Sequence, residues 1–334
     1  MAHLLGIDTG GTYTDAILLD DEAGVIVARA KALTTRPDLS AGIGAAIDAV
    51  MEQSGVAPSD VSMVSLSTTL ATNALVEGQG GRVALVFIGF DETELKRADL
   101  SDALNEDPVI FAQGGHSHAG TAITDLDTDT ICHELESLSV KVSGVAVVSQ
   151  CAARNPSHEI TVRDIVRDVL GVPVTCSHEL SQALGGPKRA LTAVLNARLI
   201  GLIDRLIAAT EAHIEALGID ASLMVVRGDG ALISAELARE RPIETILSGP
   251  AASIAGAQWL TGAKDALVSD IGGTTTDICV LKDGIPKIDP QGAKVGKYRT
   301  MVEAVAMRTF GLGGDSEVSV IEGLEGGLRL GPRR

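Results

Sequence analysis

Residues 8–15 read Asp-Thr-Gly-Gly-Thr-Tyr-Thr-Asp, and residues 270–277 read Asp-Ile-Gly-Gly-Thr-Thr-Thr-Asp, identical at six of eight positions. These residue types suit the holding of phosphate. Glycine has no Cβ and tolerates positive φ, so backbone N–H groups can approach phosphate oxygens. Threonine hydroxyls add donors. A carboxylate aimed at bare phosphate would repel it, so Asp8 and Asp270 make sense only with a cation in between. Mg2+ is a hard ion held by such oxygens, directly or through water. Two such turns could clamp the β- and γ-phosphates of ATP from both sides, and phosphoryl transfer needs little beyond positioning and charge neutralisation. A single copy could equally be a polar hairpin turn. Two copies in matching surroundings point to a repeated unit.

The surroundings do match. His3–Ile7 is an apolar strand before the first copy, and Ala16–Leu19 follows it. Ala266–Ser269 precedes the second copy, and Ile278–Leu281 follows it. Each copy is therefore expected to be the turn of a hairpin. Val25–Ala28 adds a third strand and makes the N-terminus an antiparallel meander. Leu39, Ile43, Ile47 and Val50 recur at helical spacing, with Asp38 or Ser40 as N-cap. Strands are expected at Val61–Leu66, Arg82–Ile88, Gly144–Val148, Val172–Thr175 and Leu223–Val226. Helices are expected near Thr69–Val76, at Glu159–Leu170, from Pro187 to Leu217 and at Ala251–Leu260. This alternation predicts an α/β fold. A domain boundary is expected at Gly185-Gly186-Pro187, giving residues 1–184 with the first hairpin and 185–334 with the second.

The paired hairpins resemble the phosphate motifs of the actin, sugar-kinase and Hsp70 superfamily. Within it, the sequence is similar to the hydantoinase A/5-oxoprolinase family on three further stretches: Thr68-Thr-Leu-Ala-Thr-Asn-Ala-Leu75, Ser248-Gly-Pro-Ala-Ala-Ser253, and Thr309-Phe-Gly-Leu-Gly-Gly-Asp-Ser316, the last placed like the superfamily's adenosine motif. The resemblance spans nearly the whole chain. It implies two ribonuclease-H-like (actin-like ATPase) domains with a nucleotide cleft between them. It also implies ATP-dependent opening of a cyclic amide, a hydantoin or 5-oxoproline, by phosphorylation of the amide oxygen. Asp8 and Asp270 would then hold Mg2+ and position the attacking group. Gly10, Gly11, Thr12, Thr14, Asp15, Gly272, Gly273, Thr274, Thr275 and Asp277 would cradle or orient around the phosphates. Gly311, Gly313, Gly314 and Asp315 would line the adenosine side, and Thr68, Thr69 and Asn73 would face substrate. Relatives often carry Gly-Gly-Gly-Ser where this chain has Gly313-Gly-Asp-Ser316. They also usually continue further, so the second domain is expected to be incomplete at its C-terminus. A second hydantoinase-type subunit is an implied partner, and homo-oligomers are compatible. Three rivals use the same clamp: a small-molecule kinase, an acetone-carboxylase-like subunit, and a reactivating or chaperone-like ATPase.

Other constellations are weaker. Gly114-Gly-His-Ser-His118 could offer two imidazoles to a metal, but with no third ligand in view it reads as a surface loop. Arg227-Gly-Asp-Gly230 follows a strand and is a cleft carboxylate or a plain turn. Ser248-Gly-Pro250 has the composition of a helix start. Ser67 to Asn73 could hold an anion or polar ligand at a helix N-terminus, or be a capping segment. The four cysteines, Cys132, Cys151, Cys176 and Cys279, form no CxxC pair, which fits free thiols in a reducing cytosol. A net charge of −17 argues against nucleic acid and anionic membrane as partners. The N-terminus has no charged and apolar leader pattern. A cytoplasmic protein is expected. Aromatics are 2% of the chain, so its core must be built from Ala, Val, Leu and Ile.

Overall fold

The computed structural model describes residues 2–35, 39–273, 275–321 and 327–330. The N-terminal meander is present: β1 (His3–Thr9), β2 (Tyr13–Asp20) and β3 (Val25–Leu33) pair antiparallel in sequence. After α1 (Leu39–Ser54), β4 (Val61–Thr68) lies parallel to β1. The seven-residue α2 (Leu70–Val76) follows directly. Asp38 lies outside the described residues.

A second sheet comes next. β5 (Val83–Ile88), β6 (Val109–Ala112), β7 (Gly144–Ser149) and β8 (Val174–Cys176) run parallel in the order β6-β5-β7-β8. The short α3 (Leu100–Leu104), α4 (Thr128–Glu136) and α5 (Ser157–Leu170) lie between its strands in sequence. Every residue of β5 and β7 is buried. Such continuous apolar runs belong to parallel sheets covered on both faces. One face meets α4 and α5 through Ile131, Leu135, Val162 and Val166. The other meets α7.

α7 (Gly186–Ala216), reached through the one-turn α6 (Ser177–Leu180), is 31 residues long. Its buried residues occur all round, from Leu191 and Val194 to Leu199 and Ile203. A helix apolar on every side must be enclosed. α7 packs on β5 and β7 as well as on α1 and α2, so one core joins the two sheets. β9 (Ser222–Val226) then adds parallel to β4, and β10 (Leu232–Ser234) adds antiparallel to β9. The first sheet therefore has six strands in the order β10-β9-β4-β1-β2-β3. Sequence on both sides of residue 185 thus shares one sheet. The Gly185-Gly186-Pro187 stretch is not a loose linker either: a Cβ on Gly186 would lie 2.3 Å from the Phe90 ring.

After α8 (Ala235–Glu240), α9 (Ser248–Thr261) packs on β4 and β9 with one part of its surface and on the third sheet with another. That sheet is β11 (Ala266–Ile271), β12 (Thr276–Lys282), β13 (Ile285–Pro286) and, beyond the small β14 (Lys294–Val295) and β15 (Tyr298–Arg299) hairpin, β16 (Met307–Phe310), which pairs with β12. Its inner face carries Val268, Cys279, Leu281 and Met307 against Ala251 and Ile254 of α9. On the opposite face Leu267 is 69% exposed, Ile271 67% and Phe310 48%. No described helix is long and apolar enough to cross a membrane.

Candidate functional site

The two Asp-Gly-Gly stretches are hairpin turns with the same register. Asp8 faces Asp15 across β1 and β2, and Asp270 faces Asp277 across β11 and β12. Each turn closes with one backbone bond: Gly10 N–H to Tyr13 O at 3.0 Å, and Gly272 N–H to Thr275 O at 2.9 Å. Gly10, Gly272 and Gly273 are not at positive φ. Their use is therefore close approach, not the left-handed backbone that glycine also allows. Gly11, Thr12, Gly272 and Gly273 are exposed, so their surfaces are open to a ligand. Thr274 lies outside the described residues.

Asp8 is the most constrained carboxylate of the set. Ser67, at the C-terminal end of β4, donates its hydroxyl to Asp8 Oδ1 at 2.6 Å. Burial nevertheless raises the Asp8 pKa, and the charges of Asp15 and Asp270 push it further up. The Asp270 charge thus reaches Asp8, so the two leading aspartates share one electrostatic neighbourhood. Lys31 is the cation nearest in effect, but it sits 3.1 Å from Asp15 in an exposed ion pair. Three carboxylates with a single lysine, itself paired with Asp15, are a poor arrangement for bare charge and a good one for a divalent cation. The second hairpin differs. Asp270 is exposed. Asp277 is half-buried, its pKa is raised mainly by burial, and its Oδ1 has no partner.

The 311–316 segment folds onto the second hairpin. Gly314 N–H donates to Gly272 O at 2.9 Å, Asp315 N–H to Gly273 O at 2.8 Å, and Thr276 Oγ1 to Leu312 O at 2.6 Å. Ser316 Oγ accepts from Gly313 N–H. A Cβ on Gly273 would lie 2.6 Å from Asp315 Oδ2. The residues assigned to phosphate and to adenosine in this half are therefore one assembly. Gly311 is exposed at its edge.

The β4–α2 junction reaches the first hairpin. Thr69 N–H and Thr68 Oγ1 both donate to Thr9 O. Thr68 Oγ1 also accepts from Leu70 N–H, so this hydroxyl is fully committed inside the fold. Thr69 Oγ1 accepts from the Asn73 amide at 3.2 Å, and both side chains are half-buried. Ser248 and Gly249 come to the same place. Ser248 does not cap α9; it bonds to Thr68 instead. A Cβ on Gly249 would lie 3.6 Å from Asp8 Oδ1. Sequence reasoning left Ser248 and Gly249 out of the site and weighed Ser67 only as part of a segment that either holds a ligand or caps a helix. The signal was there in Ser-Thr-Thr and Ser-Gly-Pro, but caps and helix starts use the same residues.

The remaining constellations are structural. His116 is 1% exposed, which corrects the surface-loop reading; only His118 of that pair is exposed. The His116 ring lies 4.2 Å from that of His158, tilted by 41°, and burial lowers the pKa of both. Glu159, Cys176 and His178 bring ligand-type atoms within 4.8 Å of one another. Both Glu159 oxygens are already occupied, by Ser149 N–H, Ser177 Oγ, His178 N–H and His178 Nδ1. Burial holds the Cys176 thiol protonated well above its usual range. Asp229 pairs with Arg227 at 3.1 Å and accepts from Ala231 N–H, as a turn carboxylate does. Cys279 packs in the third sheet's core, and burial pushes its thiol up to about 11.

A mixed-sheet α/β protein with two register-matched carboxylate hairpins in electrostatic contact is the class these features define. The chain belongs to the hydantoinase/oxoprolinase family: the family's N-terminal region matches residues 4–170, and the hydantoinase/oxoprolinase domain matches residues 189–334. It is 26% identical to the acetophenone carboxylase gamma subunit of Aromatoleum aromaticum, over 98% of this chain and 49% of that one. It is also similar to the crystal structure of an ATP-dependent caprolactamase from Pseudomonas jessenii, with 28% identity, a TM-score of 0.78, and coverage of 99% of this chain and 50% of the other. The nucleotide-free structure from work on ATP-dependent acetone carboxylation shares the fold, with a TM-score of 0.82 at 22% identity, over 98% of this chain and 50% of that one. The chain spans about half the length of these relatives.

Proposed function

We propose that this chain binds Mg-ATP between its two Asp-Gly-Gly hairpins and uses it to phosphorylate a carbonyl oxygen, in the favoured case that of a cyclic amide of the hydantoin or 5-oxoproline type. The observation that carries the reading is Asp8: a half-buried carboxylate, fixed by Ser67, facing the charges of Asp15 and Asp270. Such a group is unfavourable alone and favourable beside a divalent cation. The donors are hard oxygens, which fit Mg2+.

Asp8 and Asp270 would hold the cation, which neutralises phosphate charge during transfer. Backbone N–H groups of Gly11, Thr12, Gly273 and Thr274 would hold phosphate oxygens, with Gly10 and Gly272 closing the turns against the backbone and the Thr14 and Thr275 positions supporting them. Asp15 and Asp277 would orient the turns from across each hairpin. Gly311, Gly313, Gly314 and Asp315 would flank the nucleoside. Thr69 and Asn73 would face the substrate, with Thr68 holding their backbone. The two hairpins would then belong to two ribonuclease-H-like halves around a shared cleft, with β9 and β10 completing the sheet of the first hairpin. Phosphorylating the amide oxygen makes an inert carbonyl electrophilic. One water adds at that carbon and the ring C–N bond breaks, leaving an acyl phosphate, and a second water then displaces phosphate. The products are a ring-opened acid, ADP and phosphate.

A second reading is supported by the carboxylase names among the relatives: the same clamp activating a ketone for carboxylation in a complex with another subunit. The relatives include named subunits, which supports a partner chain here. Calorimetry of Mg-ATP with the whole chain tests the shared step. Product analysis with hydantoins and 5-oxoproline, against ketones plus bicarbonate, then separates the two. Ring-opened acid formed together with phosphate supports the amide reading. Carboxylated ketone replaces it with the second. A folded chain that binds no nucleotide overturns both.

A further inference from the structure

Ser248 is completely buried at the start of a 14-residue helix, yet its hydroxyl gives nothing to that helix. It accepts from Thr68 N–H at 3.1 Å and donates to Thr68 O at 2.9 Å, closing a reciprocal pair 180 positions apart in sequence. One residue earlier, Leu247 N–H donates to Thr72 Oγ1 at 3.1 Å. Leu247 itself is left-handed, at φ 61. A β-carbon makes that conformation costly, so it persists only where the surroundings enforce it. One residue later, Gly249 fits between Thr69 and Asp8: a Cβ there would be 3.2 Å from Thr69 Cγ2 and 3.6 Å from Asp8 Oδ1. Thr68 is the neighbour of Ser67, whose hydroxyl holds Asp8 Oδ1. The same α9 packs on β11 and β12, which carry Asp270. One short turn thus touches the backbone that fixes Asp8 and begins the helix that supports the other hairpin.

We propose that Ser248 is a positioning residue for the Asp8 carboxylate, acting through Thr68 and Ser67, and that this clasp sets the separation of the two hairpins on which magnesium-dependent nucleotide binding depends. The proposal rests on the nucleotide reading above. Any residue can start a helix, but few can replace both bonds. Alanine loses both and leaves Thr68 N–H without its acceptor. Threonine keeps the hydroxyl.

The test uses the whole chain and reads the ratio of ATP affinities with and without Mg2+. In S248A this ratio should fall about tenfold, the scale of one net hydrogen bond. S248T should restore most of it, which a purely steric role for the serine would not. In D8N the ratio is already lost, so adding S248A should change nothing further; additive losses would overturn the proposal. Amide exchange at Thr68, read without nucleotide, judges the clasp separately. Protection should drop in S248A, and unchanged protection overturns the clasp whatever ATP does. If wild type binds no Mg-ATP, the nucleotide reading falls and takes the positioning role with it, while the exchange result still decides whether the clasp exists.

Discussion

Replacing Asp8 with asparagine should stabilise the protein while destroying its magnesium-dependent function. Two terms compete at this position. The Ser67 hydroxyl donates to Asp8 Oδ1 at 2.6 Å, and a charged acceptor makes that bond worth about 1.5–3 kcal/mol. Asparagine keeps an acceptor oxygen there, so about 1 kcal/mol of the bond is lost. Against it stands the burial of an ionised carboxylate facing Asp15 and Asp270. The effective penalty for burying an ion is several kcal/mol. The raised pKa says that the penalty wins. D8N should therefore gain on the order of 1 kcal/mol, or roughly 2 °C in Tm for a chain of this size. The pH dependence fixes the sign. A carboxyl whose folded pKa lies above its unfolded value contributes stability when protonated and loses it as pH rises through the folded value. The gap between D8N and wild type should thus be full at neutral pH and close as pH falls through the raised Asp8 pKa. Thermal melts from pH 7 to pH 4 with chelator present, beside Mg-ATP calorimetry at pH 7, measure both halves. A D8N protein that melts below wild type at pH 7, or that keeps wild-type Mg-ATP affinity, refutes the reasoning.

Three further outcomes follow from the surroundings of the site. E159Q puts an amide where a carboxylate accepts four hydrogen bonds, beside the buried Arg189; it should cost about 3 kcal/mol, or roughly 5 °C in Tm by calorimetry, and an unchanged Tm would show that the network contributes little. Burial lowers the His116 and His158 pKa values from 6.5, so the neutral rings favour the fold above that pH and stability falls as pH drops through the lowered values; H158Q should flatten this part of the pH–Tm curve, and an equally steep curve would place the effect elsewhere. Lysines at Val280 and Phe310 should reduce binding of a hydrophobic dye and concentration-dependent association by about twofold or more, because these residues lie on the exposed apolar side of the third sheet; unchanged dye binding would mean that this face is not the sticky one.

The repeat was legible because its meaning is local. An Asp-x-Gly-Gly turn between two apolar strands can be little but a hairpin, and Asp8 and Asp270 do sit at equivalent registers opposite Asp15 and Asp277. The meander, the parallel strands and the long helix after Pro187 were legible for the same reason, since period and turn residues are written in neighbouring positions. What sequence could not give was the partner of each group. Ser248 looks like a helix start, and only the fold carries Thr68 to it across 180 positions. His116 sits in a Gly-His-Ser run that reads as surface, and only the fold buries it beside Ser157 and the His158 ring. Gly185-Gly186 reads as a joint, and only the fold brings the Phe90 ring against Gly186.

The sequence by itself determined two near-identical hairpins, an α/β chain and the family it belongs to. The tertiary structure decided that the two hairpins are unequal. Asp8 lies under Ser67 and beside Gly249, with its pKa held up by burial, whereas Asp270 stands exposed on a sheet with one uncovered face. Identical motifs carry the same local geometry, but desolvation and charge belong to whatever the rest of the chain packs against them, and no single motif encodes that.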